Sequence, residues 1–305
     1  MKRKVVKQGA STLMVSLPTQ WAKKFNINKG DELEVEEQDR RVVISTDKEY
    51  GIERTEIDVD DLNPMILRTL AALYKAGYDE VKVNFSQPER IIDVQEALRN
   101  EISGFEIIEQ GKTFCTIRNI EGSLEDGFDP VLRRTFMLLN TMADDSLEAI
   151  REGDYGRLKS IRFLEESNNR FTTFCRRTLS KKGFRQYNKI QFIYHIVEQL
   201  ERVADQYKYM FDYLMREENA KLKLSDETLK HYGDVNALLR IYYELFYKFD
   251  KAKVVEMGRM RKKIVAELFM SFEDKPQKEC VIIHYLIIQV QMIFEMLGPY
   301  LAMVL

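Results

Sequence analysis

The chain has 305 residues, enough for two or three domains. Its formal net charge of -2 and hydrophobic fraction of 45% exclude a disordered chain and a protein that is basic throughout. Three cysteines, Cys115, Cys175 and Cys280, are scattered, odd in number and without metal-ligand spacing, so reduced core thiols are expected rather than a disulfide framework. The first residues lack the apolar run of a signal peptide, and a cytoplasmic location is expected.

Charge is unevenly placed along the chain. Lys2, Arg3, Lys4, Lys7, Lys23, Lys24 and Lys29 all precede the first acidic residue, Asp31, after which acids dominate to Asp61. The opening segment is therefore a local basic patch. Residues 4–7 read as a strand, 8–12 as a small-residue loop, and 13–17 as a second strand closed by Pro18. Thr19 is expected to cap a short helix running to Phe25, with Trp21 and Phe25 on its core side. Asn28-Lys29-Gly30-Asp31 is turn chemistry, and Leu33, Val35, Val42 and Ile44 mark two more strands joined at 38–41. Four short strands and one turn of helix cannot bury enough surface alone. This piece should dimerise.

The run KQGASTLMVSLPTQWAKKFNINKGDELEVEEQDRRVVI resembles the AbrB/SpoVT family of swapped-hairpin DNA-binding domains. The resemblance is carried by the small-residue loop ending in Leu17-Pro18, the Trp21 helix and the Lys29-Gly30-Asp31 turn, and covers about residues 1–46. It implies a homodimer of interleaved hairpins with DNA as partner. Phosphate contact requires cations projecting from a dimeric face, for which Lys2, Arg3, Lys4 and Lys7 are the candidates, with Ser11 and Thr12 as further donors. The alternative is a dimerisation handle whose lysines only keep the surface soluble.

Residues 50–120 alternate strands with helices: strand 55–59, helix 62–76, strand 80–85, helix 89–102, then strands 105–109 and 114–117. Pro64 and Pro88 suit the first turns of the two helices. A small two-layer α/β domain follows. It holds no glycine-rich phosphate loop, nucleophile elbow or histidine cluster, so a connecting or oligomerising module is expected.

The acidic stretch 122–129 reads as a linker, followed by helices at about 130–151, 155–180, 185–219, 226–250, 251–270 and 278–304. Six helices with short joints imply two antiparallel three-helix units. The chain is thus expected to be multidomain α+β: a swapped-hairpin β domain over 1–47, a small α/β domain over 48–121 and an all-α pair of three-helix bundles over 122–305. The last helix is apolar enough to raise a membrane span, but His284, Gln291 and Glu295 form one polar stripe along it. Inserting a mid-helix acid costs about 2.5–3.5 kcal/mol. A bundle seam with His284 hydrogen-bonded in it is expected, and no membrane insertion.

Residues 191–210 organise this region. Ile193, Val197, Leu200, Ala204, Tyr207, Phe211 and Leu214 form one helical face, and beside it Glu201 and Asp205 stand one turn apart. Two such carboxylates repel by about 0.2–0.5 kcal/mol on an isolated helix, so a solvated edge or a cation must accompany them: a metal, Arg or Lys. The pattern recurs ninety residues on, setting Gln199, Leu200, Glu201, Val203 and Asp205 against Gln289, Val290, Gln291, Ile293 and Glu295.

The phrase LERVAD within this repeated bundle resembles the PhoU family of phosphate-signalling proteins over about residues 126–305. The resemblance implies a regulator of phosphate uptake, with phosphate transporter components or a sensor kinase as partners. It also implies a divalent metal (iron, zinc or magnesium) on paired acids, here Glu165, Asn169, Glu201 and Asp205, where Asn169 stands in place of an acid. In the second unit Arg259 is expected to neutralise Glu295 instead. Archaeal-type proteins that join an AbrB-like head to a PhoU-like body have this order of parts. The expected function is a non-enzymatic, dimeric DNA-binding regulator. The alternative is an adaptor that docks on the transporter or kinase and never touches DNA. A metal-dependent hydrolase at Glu201 and Asp205 is disfavoured by the lack of a histidine ligand or nucleophile.

Overall fold

A computed structural model describes residues 1–38, 41–46, 52–120, 127–182, 187–219 and 222–305. The chain divides into two compact units, Met1–Arg54 and Thr55–Leu305. In the first, β1 (Val6–Gln8) and β2 (Thr12–Met14) form an antiparallel ribbon with Val6 opposite Met14, Lys7 opposite Leu13 and Gln8 opposite Thr12. Gly9, at φ +69°, supplies the reversal that an L side chain would strain. A short helix, α1 (Thr19–Lys24), follows, and Pro18 rather than Thr19 occupies its N-cap, with no side-chain cap. The extended φ/ψ of Pro18 already sets the entry to the helix, which leaves Thr19 as the first helical residue. A second antiparallel ribbon is made by β3 (Glu34–Gln38) and β4 (Arg41–Ser45). The Asn28-to-Asp31 turn forms as its chemistry dictates: the Asn28 amide donates to Asp31 Oδ2 at 2.6 Å and Gly30 takes φ +97°.

Among the described residues the two ribbons do not pair with each other. Among the described residues of this unit Phe25 is the only buried apolar side chain, while Val5, Val6, Leu13, Val15, Val35 and Val42 are exposed. Phe25 packs on the half-buried Trp21, ring centroids 5.4 Å apart.

The second unit opens with β5 (Arg54–Asp58), α2 (Ile66–Ala76), β6 (Glu80–Asn84), α3 (Arg90–Asn100), β7 (Phe105–Gln110) and β8 (Phe114–Asn119). The sheet order is β5-β6-β8-β7, with β8 antiparallel to both neighbours. Val81, Val83, Cys115 and Ile117 on the sheet pack against Ile66, Leu70, Tyr74, Val94 and Ala97 on the two helices. Pro64 does not open α2 as expected: the Asn63–Pro64 peptide is cis in the preceding turn, and the helix starts at Ile66. Gly77 ends it in the left-handed conformation.

Among the described residues seven α-helices follow: α4 (Phe128–Glu152), α5 (Tyr155–Lys182), α6 (Ile190–Leu214), α7 (Asp226–Tyr247), α8 (Lys251–Ser271), α9 (Gln277–Glu295) and α10 (Leu297–Val304). α4, α5 and α6 pack on one another, α7, α8 and α9 do likewise, and the trios meet through α6 on α9 and α4 on α7. One apolar core runs through all of them. Polar bolts cross it: Ser146 and Tyr232 hydroxyls at 2.6 Å, Tyr207 donating to Asn236 at 2.8 Å, and Asn236 donating to the Ala143 carbonyl at 2.6 Å. The Glu279 carboxylate is also buried; three hydrogen bonds from Ser225 and Thr228 outweigh that burial and hold it below the usual range.

The boundary at 47/48 and most of the linker at 122–129 lie outside the described residues. The α/β layer and the helices belong to one compact unit. The segment 277–304 is long and apolar enough by length and composition to cross a membrane, yet 44% of its most apolar window is buried in the bundle and Met296 divides it into two helices. His284 and Glu295 are exposed and Gln291 is half-buried, so the expected polar stripe lies along the bundle's edge rather than inside a seam. The core face belongs instead to Ile282, Ile283, Leu286, Gln289, Val290 and Ile293. Cys115 and Cys175 are buried free thiols and Cys280 is half-buried; burial pushes the Cys115 thiol up to about 11.

Arg177 of α5 carries the join between the layers. Its guanidinium is 1% exposed, donates to the Tyr74 and Tyr78 carbonyls at 2.8 and 2.7 Å and to Asp79 Oδ1 at 2.7 Å, and lies over the rings of Tyr74 and Phe105. Removing one partner of such a buried pair costs about 3–5 kcal/mol. Urea denaturation of Arg177→Ala should show a loss of that size, and Arg177→Lys should recover less than half, because an ammonium cannot reproduce the planar fork.

Candidate functional site

Two groups of side chains bear on function. The first is the cationic end of the N-terminal unit. Lys2, Arg3, Lys4, Lys7, Ser11 and Thr12 are all exposed, and none of the four cations has an acidic partner among the described residues. Lys7 lies in β1, Ser11 in the connecting turn and Thr12 in β2. The register sets Lys7 opposite Leu13 and Gln8 opposite Thr12, so Lys7 and Thr12 project from opposite faces of the ribbon. The expected set therefore does not share one face within a single chain.

Apolar side chains also occupy both faces. Leu13, cross-strand from Lys7, is 70% exposed, and Val6 and Met14, paired on the other face, are 57% and 43% exposed. A ribbon apolar on both faces requires a cover on each.

The second group lies on α5 and α6. Glu165, Asn169 and Asp205 converge, as the spacing predicts, but around the ammonium of Lys208. Lys208 Nζ donates to Glu165 Oε1 and to Asp205 Oδ1, each at 2.6 Å, and Asn169 Nδ2 donates to Glu165 Oε1 at 2.7 Å. Glu201 stands apart from them, accepting from Thr172 Oγ1 at 3.1 Å and from the Arg176 guanidinium. The cation that the paired acids need is thus supplied by the chain itself. As arranged, these donors fit an ammonium and a guanidinium and do not fit a metal ion.

The ionisation of this cluster is divided. Burial pushes the Glu165 carboxyl above its usual range, and the bonds from Lys208 and Asn169 offset only part of that. Burial also works against the Lys208 ammonium, but hydrogen bonds to Asp205 and Glu165 hold it above the ordinary lysine value. The geometry, two carboxylates at 2.6 Å from one Nζ, favours the charged pair at neutral pH.

The repeat is matched in burial: Gln199, Leu200 and Val203 are buried, as are Gln289, Val290 and Ile293. In each trio an arginine of the preceding helix meets the first position of the pair, Arg176 on Glu201 and Arg261 on Gln291 at 2.7 Å. The expected Arg259 to Glu295 pairing does not form: Arg259 is exposed, and Glu295 accepts from Gln199 Nε2 at 3.4 Å. Arg261 stands two positions after Arg259 in α8, on the opposite side of the helix, which places it on the face toward α9.

A family model described as Antidote-toxin recognition MazE, bacterial antitoxin, matches residues 6–50. The head is similar to a MazE antitoxin domain. That match supports the swapped-hairpin reading of the first unit, and domains of the MazE/AbrB type commonly dimerise and bind DNA. It does not extend into the α/β layer or the helices. No curated protein and no solved structure matches the chain.

Sequence reasoning missed Lys208 and Arg176. Lys208 was legible, since Asp205 and Lys208 are spaced i, i+3 on one helical face. Arg176 was not, because its partner lies on another helix. Lys208→Met should lower stability by about 3 kcal/mol in urea, by stranding the buried Glu165 carboxylate. Adding Glu165→Gln should restore most of it; a double variant no better than the single would contradict this pairing.

Proposed function

We propose that the chain is a homodimeric DNA-binding regulator whose helical body senses or docks a component of phosphate uptake. The observation that carries the DNA part is the head: four exposed cations without acidic partners among the described residues, three just ahead of β1 and Lys7 within it, beside a ribbon whose two faces both carry exposed apolar side chains. Interleaving two ribbons would cover those faces and double the cation count along one surface. It would also bring together donors that one chain sets on opposite sides.

The phosphate part rests on the LERVAD phrase, its ninety-residue repeat and the two packed helix trios that carry them. In this reading a partner at the helical body alters the spacing of the paired heads on DNA. The paired acids of α5 and α6 serve the fold through Lys208 and Arg176, and the chain performs no chemistry of its own. The matched family's description as toxin recognition favours a second reading, in which the head binds another protein rather than DNA.

Anisotropy titration of the full chain against mixed-sequence duplex DNA separates the two. Six to eight neutralised phosphates per dimer give a slope of log affinity on log salt of about -5 to -7. Lys4→Glu with Lys7→Glu should reduce that slope by about four, one per lost phosphate contact. Unchanged affinity would remove DNA binding. Genome-wide crosslinking reads the phosphate part, through enrichment at phosphate-transport genes.

A further inference from the structure

A second polar cluster lies between α7 and α8, away from the carboxylates of α5 and α6. His231 is 2% exposed, and neither of its ring nitrogens has a hydrogen-bond partner. Burying an unsatisfied imidazole is costly, so its surroundings should explain it. Nδ1 points between two carboxylates: Asp234 Oδ2, three residues on in α7, and Glu267 Oε2 of α8, each at 3.7 Å. Glu267 Oε2 is itself buried without a hydrogen-bond partner. One donor atom from each of the three residues lies within 4.8 Å of the other two.

At 3.7 Å these atoms are too far apart for hydrogen bonds. Donors held at about 2.0–2.2 Å by one tetrahedral ion stand roughly 3.4 Å apart. The two separations from Nδ1, 3.7 Å each, are close to that spacing, and the two carboxylate oxygens lie within 4.8 Å of each other. We propose that His231, Asp234 and Glu267 bind a divalent transition-metal cation of the zinc class, tying α7 to α8.

The neighbouring charges agree. Lys230 and Lys263 approach Glu267 only at 3.8 and 3.9 Å, and both are largely exposed, so neither fills the centre as Lys208 fills its own cluster. Glu227, one turn before His231, has Oε1 4.0 Å from Nε2 and its other oxygen on Lys275 at 2.6 Å. A small shift lets Glu227 accept the Nε2 proton, which leaves the Nδ1 lone pair for the ion. Asp234 and Glu267 are about one-third exposed, giving the ion a route in and a water for the fourth position. An imidazole among the ligands favours zinc, cobalt or nickel over magnesium or calcium. Glu227, His231 and Asp234 share one face of α7 and were legible as a spacing; the third ligand, from another helix, was not.

The test uses the full chain, stripped with a chelator and titrated with Zn2+ by calorimetry and with Co2+ by visible absorption. One equivalent should bind per chain, with the strong d–d bands of a tetrahedral site that Zn2+ then abolishes. Asp234→Asn and Glu267→Gln, both partly exposed, should each weaken Zn2+ binding more than tenfold while circular dichroism shows a folded helical protein. Glu201→Gln should leave it unchanged. Uptake of neither metal by the stripped protein, or wild-type affinity in both the Asp234 and Glu267 variants, would overturn the site.

Discussion

The N-terminal unit cannot close a core by itself, and the functional account depends on that constraint. A segment that, among its described residues, buries only Phe25 of its apolar side chains does not offset the conformational entropy of ordering its backbone. Isolated two-stranded ribbons are marginal in water, and the described residues of this unit form two of them, unpaired with each other. The missing surface must come from outside the unit. In the proposed dimer a second copy would supply it with the same residues, and a symmetric pairing would set two cationic ends side by side.

The second unit solves the opposite problem. Its core is ample, and the difficulty is to bring polar groups inside without stranding them. Arg177 does so by serving two carbonyls and a carboxylate at once, so a charged side chain at 1% exposure becomes the tie between sheet layer and bundle. Glu279 does so by accepting from the Ser225 amide and hydroxyl at the N-cap of α7 and from the Thr228 hydroxyl, and Lys208 by bridging two acids on neighbouring helices. The paired acids that first suggest a metal centre are, in this light, part of the packing. Among the described residues His231 and Gln289 do not conform, each buried with neither side-chain polar atom hydrogen-bonded; of the two, only His231 faces carboxylates at close range.

Local signals were legible where one stretch of chain settles the outcome. The apolar face from Ile193 to Leu214 is buried as its period requires, Gly77 and Gly153 end their helices in the left-handed conformation, and Ser225 caps α7. Signals that two geometries satisfy equally were misread. A proline ahead of an apolar run fits a helix start or a turn, and Pro64 took the turn. His284 and Glu295 fit a seam or a surface, and the larger apolar face on the other side of α9 decided for the surface. Partners that meet only through tertiary packing, such as Arg176 with Glu201 or Arg177 with backbone carbonyls, left no trace in spacing.

The most direct test is sedimentation velocity of the full chain, alongside Leu13→Asp, which places a charge on the exposed apolar face of the head. The account predicts a two-chain particle for the wild type and single chains for the variant, with the helical content of both unchanged. A wild type that sediments as one copy at every concentration, or a variant that stays paired, would contradict it.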